Sequence, residues 1–140
     1  MYPRQHAAIS AVAVTIAGAL LELSLPELAF WGFVGVLSGV LVDIDHLPLA
    51  VFFNRKSEEV RDWLRHPLKA LTHARELRED IDPEENLVAH RMVSHLLGFG
   101  VLCVLAPYHR LVIPAVIAVG VHIISDVAWD IREQDGNPYI

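Results

Sequence analysis

Cysteine is almost missing from this 140-residue chain, and the single Cys103 excludes both an intrachain disulfide framework and a thiolate metal site within one chain. Lysine is nearly as scarce: only Lys56 and Lys69 accompany nine arginines, and these 11 basic residues face 17 acids. The resulting formal charge of −6 argues against a nucleic-acid-binding surface. What the chain has in excess is apolar character. The hydrophobic fraction is 54% and the mean hydropathy +0.40, above the roughly 45–50% apolar content of soluble domains. The length allows one domain at most, and the excess gathers in four blocks.

The first block runs from His6 to Leu25, broken only by Ser10, Thr15, Glu22 and Ser24. It has the length to cross a bilayer, for which about 20 residues are needed; a cleaved leader is the alternative, given Arg4 before it and Ala17-Gly18-Ala19 within it. Pro26 opens the second block at its first turn, and Leu28 to Val42 carries it to an Asp-rich edge. Gly32, Gly35 and Gly39 form a strip of small residues that predicts close helix approach. From Asn54 to Val88 the composition inverts, with seven basic residues alternating with nine acids in a solvated insert. Ser57-Glu58-Glu59 reads as one helix start, and His66-Pro67 as another leading into Leu68 to Arg78. Asp82-Pro83-Glu84-Glu85 supplies a cap, an N1 proline and an N3 glutamate for a helix running to Leu105. After the turn at Pro107 to Arg110, the fourth block runs from Leu111 to Trp129, with Pro114 in its opening turn.

These blocks predict an all-α fold: a four-helix transmembrane bundle with crossings at about 6–25, 27–46, 86–105 and 111–130 and a polar helical insert at 54–85. Four crossings place both termini and the insert on one side. Ten of the eleven basic residues then share that side, which the positive-inside rule assigns to the cytoplasm, making this a multi-pass protein of the cell membrane. A soluble all-helical domain is the alternative, because the second block holds only about fifteen unbroken apolar residues against about twenty expected.

Ionisable groups at the edges of such blocks are functional candidates. His6 opens the first block; Asp43, Asp45 and His46 close the second; His90 and His95 lie early in the third; His122 and Asp126 lie late in the fourth. All eight fall at the cytoplasmic ends, and carboxylates with imidazoles suit divalent zinc, manganese or iron. His122 and Asp126 are one turn apart on one helix face and form a chelating pair. His90 and His95 lie about 140° apart at about 100° per residue, which favours two subsites, or one ligand and one substrate contact, over joint binding of one ion. His95 shares its face with Arg91, and an arginine beside a ligand suggests an anionic substrate such as a phosphate ester. Against these readings stand bland ones: a buried polar pair for His122 and Asp126, a helix-end role for Asp43 to His46, structural roles for His90 and His95, and a membrane-surface position for His6.

In this order, His6, Asp43-Ile44-Asp45-His46, His90-Arg91-Met92-Val93-Ser94-His95 and His122-Ile123-Ile124-Ser125-Asp126 resemble the motifs of the family of predicted membrane-bound, metal-dependent hydrolases. The resemblance covers nearly the whole chain. That family is distantly similar to zinc-dependent phospholipases C and single-strand-specific nucleases, helical enzymes that hydrolyse phosphodiesters at a multi-zinc site. The resemblance implies phosphoester hydrolysis. The chain departs from the family pattern at Val42, where a proline is common, at Met92, where a small residue is common, and at Leu96, where a hydroxyl residue is common.

The expected centre therefore holds one or two divalent ions, zinc first and manganese or iron next, on His6, Asp43, Asp45, His46, His90, His95, His122 and Asp126. The uncoordinated member of the Asp43/Asp45 pair, assigned as Asp45, takes the proton of water, and Arg91 offsets charge on the phosphate. Expected partners are the lipid bilayer and an amphiphilic phosphoester such as a lipid head group. The rival classes are a non-catalytic metal-binding or transport protein and a haem-binding bundle, although haem has no need of three nearby aspartates.

Overall fold

The computed structural model describes residues 3–66, 76 and 88–135, and among these the chain is all helical, with no strand. Helix α1 spans Pro3–Leu20 and α2 spans Leu25–Leu41; a 3-10 turn at Val42–Asp45 leads into α3, His46–Asn54, and then α4, Ser57–Arg65. Helix α5 spans Val88–Leu105, and a second 3-10 turn at Arg110–Val112 opens α6, Ile113–Asp135.

Local chemistry sets these boundaries. Helix α1 stops short of Leu25 because Glu22 adopts a left-handed φ of 54°, with its N–H donating to the Ala19 carbonyl (3.1 Å) and the Leu23 N–H to that of Gly18 (3.1 Å). This is the paired C-terminal closure that satisfies the last carbonyls of a helix. The chain restarts at once. The Glu27 carboxylate accepts from the Ser24 N–H at 2.9 Å and from its hydroxyl at 2.5 Å, and Pro26 sits in the first turn, where its missing N–H leaves no bond unmade. Helix α4 carries Glu58 and Glu59 in its first turn and Arg65 in its last, each sign at the favourable end of the helix dipole. Its Val60 and Trp63 are buried, Val60 against Ala50 of α3, so this part of the insert docks on α3 instead of standing free in solvent. The helix expected from Leu68 to Arg78 and the start expected at Asp82 lie outside the described residues.

Helices α1, α2 and α6 pack on one another, and α5 packs chiefly on α6. Val14, Trp31 and Ala118 form the centre of the three-helix contact. The α1–α2 approach depends on glycine. A Cβ on Gly35 would lie 2.6 Å from Cγ2 of Val14, and one on Gly39 would collide with the Ser10 hydroxyl. Gly32 was expected on the same strip but has open space around it; the buried strip is Trp31, Gly35 and Gly39, because four-residue steps hold one face more closely than three-residue steps.

Two helical stretches are long and apolar enough to cross a membrane, Leu25–Phe53 with 29 residues and Arg110–Arg132 with 23. The other two blocks, expected as crossings over 6–25 and 86–105, form apolar helices of lesser length, Gln5–Leu20 and Ala89–Leu105. The turn at Glu22 shortens the first. The second block differs in the opposite sense: its helix passes through Asp43 as a 3-10 turn and continues into α3.

The glycine contact yields a paired prediction. Gly35→Leu will overpack the α1–α2 interface and lower stability by about 2 kcal/mol, whereas Gly98→Ala, where a Cβ meets nothing within 4 Å, will raise it by about 0.5–1 kcal/mol through helix propensity. Thermal unfolding in detergent, followed by circular dichroism, will separate the two.

Candidate metal centre

Helices α1, α5 and α6 and the 3-10 turn after α2 bring side chains to one place. Asp43 stands in the 3-10 turn just beyond the C-terminus of α2, where the helix dipole is unfavourable to an anion unless a cation is near. Helix α6 presents His122 and Asp126 one turn apart, α5 presents His95 one turn after Arg91, and α1 presents His6. The ligand atoms of Asp43, His95, His122 and Asp126 all lie within 4.8 Å of one another. His95, His122 and Asp126 are buried, and Asp43 is partly open.

His122 decides what can occupy the middle. Its Nδ1–H donates to the Gly39 carbonyl at 2.9 Å, in the last turn of α2. A neutral ring then carries its lone pair on Nε2, which lies 3.3 Å from Oδ1 of Asp43 and 3.3 Å from Oδ2 of Asp126. A lone pair facing two carboxylates is repulsive unless a cation sits between them, either a proton or a metal ion. A proton joins two atoms, whereas four converge here. Ligand atoms about 2.0–2.2 Å from a tetrahedral zinc lie about 3.4 Å apart; the two His122 contacts, and the 3.5 Å from His95 Nε2 to Asp43 Oδ1, match that spacing. A backbone carbonyl that fixes the tautomer of a ligating histidine is also the usual support for one. The residues fit a divalent ion.

His6 adjoins this group. Its ring is buried and stacks on His122 with centroids 3.8 Å apart and planes at 22°. The Ser125 hydroxyl donates to the His122 carbonyl at 2.8 Å and lies 3.4 Å from His6 Nδ1, and the other ring nitrogen of His6, Nε2, lies 3.2 Å from Asp126 Oδ1. Arg91 closes another side. It is 7% exposed; its Nη2 lies 3.2 Å from Asp130 Oδ2 and 3.9 Å from Asp126 Oδ2. Its Nε is buried without a hydrogen-bond partner among the described residues.

Of the eight residues expected as ligands, Asp43, His95, His122 and Asp126 meet, and His6 lies against them. His90 does not join them. Its side chain is exposed and its ring centroid lies 4.2 Å from that of Phe53, as the wide angle from His95 around α5 requires. The side chains of Asp45 and His46 lie outside the described residues. Three participants were not anticipated. Asp130 follows Asp126 by one turn, so its position was readable from spacing; Ser125 and the Gly39 carbonyl leave no such trace, because one is a common helix residue and the other has no side chain.

Comparisons with family models, with curated proteins and with solved structures returned no match. The chemistry is therefore argued from the residues. Among the described groups, Asp43, Asp126 and Asp130 bring three carboxylates against the single guanidinium of Arg91. With neutral histidines, one divalent ion balances the remainder.

Elemental analysis of detergent-purified protein dialysed against zinc should give close to one equivalent, lost in His122→Ala and in Asp126→Ala and kept in His90→Ala. A metal-free wild type would instead identify a proton-linked polar network.

Proposed function

We propose that this chain is a multi-pass membrane hydrolase that cleaves a phosphoester at a divalent metal centre, zinc first and manganese or iron next. The observation that carries the reading is the state of Arg91. A guanidinium this buried, with its Nε–H unpartnered and lying beside an imidazole–carboxylate group, is the equipment for holding an oxyanion next to a metal. The order of the motifs, resembling that of the membrane-bound metal-dependent hydrolases, supports the same chemistry.

The ion would be held by Asp43, His95, His122 and Asp126, with His6 available beside Asp126. Bound there, a divalent metal supplies a Lewis acid for a phosphoryl oxygen and makes water nucleophilic near neutral pH. The chain's own residues do the rest. Gly39 holds the His122 tautomer, Arg91 binds the anionic oxygens and offsets charge gathering on them, and Asp45, from the same turn as Asp43, is the proposed acceptor of the water's proton. Burial of His95, His122 and Asp126 keeps bulk water from competing for the ion.

The membrane reading includes all four apolar blocks, with the metal centre and both termini on the cytoplasmic side, on the strength of the ten-to-one division of basic residues. Large apolar side chains are exposed on every long helix, among them Ile16, Phe33, Val101 and Ile124, in excess of what a soluble monomer leaves to water. A site at such a surface favours an amphiphilic phosphoester, such as a lipid head group, as substrate.

A second reading has one observation in its favour. Four protein ligands can by themselves complete a tetrahedral zinc site, leaving no open position, and a buried saturated site of that kind suits metal binding or transport. Turnover separates the two. The zinc-loaded protein is expected to hydrolyse bis(p-nitrophenyl) phosphate, to lose that activity to a chelator and to regain it with metal. Arg91→Met should lower kcat by about 10²–10³-fold with metal content intact. Stoichiometric metal without turnover on any phosphoester would favour the transport reading.

A further inference from the structure

Arg91 stands between two carboxylates of α6, and only one of them belongs to the metal group. Left to itself, a buried guanidinium takes the nearest carboxylate and uses its paired N–H groups on it. The nearest within the metal group is Asp126, whose Oδ2 is also 3.3 Å from His122 Nε2. Full pairing there would draw a ligand oxygen away from the ion and occupy the donors that an anion needs. The observed arrangement avoids this. Nη2 is 3.2 Å from Asp130 and 3.9 Å from Asp126, and Nε remains unpartnered in a buried position.

We infer that Asp130 is a positioning residue, which anchors Arg91 from one side so that its remaining donors stay available to an oxyanion at the metal centre; the inference rests on the phosphoester reading. Asp130 is suited to this. It lies one helical turn beyond Asp126 and therefore on the same side of α6, yet its side chain keeps 25% exposure. Its carboxylate stands at the edge of the group, whereas that of Asp126, at 2%, is enclosed by it. The pair divides the labour: Asp126 serves the ion and Asp130 serves the arginine.

The test uses detergent-purified, zinc-saturated full-length protein and inorganic phosphate as the probe, with affinity read by titration calorimetry and metal content by elemental analysis. Asp130→Asn should weaken phosphate binding by about tenfold or more, the size expected for losing a hydrogen bond to a charged group, while zinc stays stoichiometric. Asp130→Glu should recover most of the affinity, since a partly exposed position has room for one more methylene. A purely packing role for Asp130 would not give that rescue. If Asp130→Asn binds phosphate as tightly as wild type, or if it loses zinc at saturation, the inference is overturned and the phosphoester reading stands. If zinc-loaded wild type itself binds no phosphate, that reading fails and the positioning role goes with it.

Discussion

The imidazole of His122 cannot sit where it does without a cation. Its Nδ1–H is committed to the Gly39 carbonyl, and its other nitrogen points at two carboxylates in a buried place. Burying like charges together costs more than helix packing readily offsets, so the end of α2, the first half of α5 and the middle of α6 can meet only around something positive. Every other feature of the centre follows from that need. His95 shares the carboxylate of Asp43, His6 stacks on His122, and Arg91 lies 3.9 Å from the Asp126 oxygen that also faces His122. Helix packing brings these groups near one another; charge compensation makes the meeting stable.

This arrangement explains what could be read from the chain beforehand. Block ends carrying His and Asp gave the convergence, since a helix that buries apolar surface has little reason to carry ionisable groups at one end. The one-turn spacing of His122 and Asp126 gave their shared face, and the angle between His90 and His95 argued against their binding one ion together, although both were expected at the centre and only His95 is there. What could not be read were backbone facts. The left-handed residue Glu22 ends α1 early without glycine to announce it, and the 3-10 turn at Val42–Asp45 joins two helices that were expected to be one shorter span. The carbonyl of Gly39 is the clearest case: no side-chain pattern reveals a backbone acceptor.

Exposed apolar surface and the His/Asp group draw on the same helices in different ways. Helix α6 has to be apolar enough to lie among its neighbours and among exposed hydrophobic surface, yet it carries His122, Ser125, Asp126 and Asp130 from its middle onward. It meets both demands because Ser125 bonds back to the His122 carbonyl, Asp130 pairs with Arg91, and His122 and Asp126 face the place where a cation would sit. Buried polar groups are retained where partners of this kind surround them.

Gly39 joins the two halves of this design in one residue. Its missing side chain lets Ser10 and the backbone of α1 approach, and its carbonyl aligns the ring of His122, while His6 stands one turn from Ser10 on the same α1. The spacing between two helices and the aim of a ligand are thus set by the same peptide unit. Any group larger than hydrogen there would shift two walls of the centre together, so the site has no independent adjustment: its geometry can drift only as far as the helix contact does.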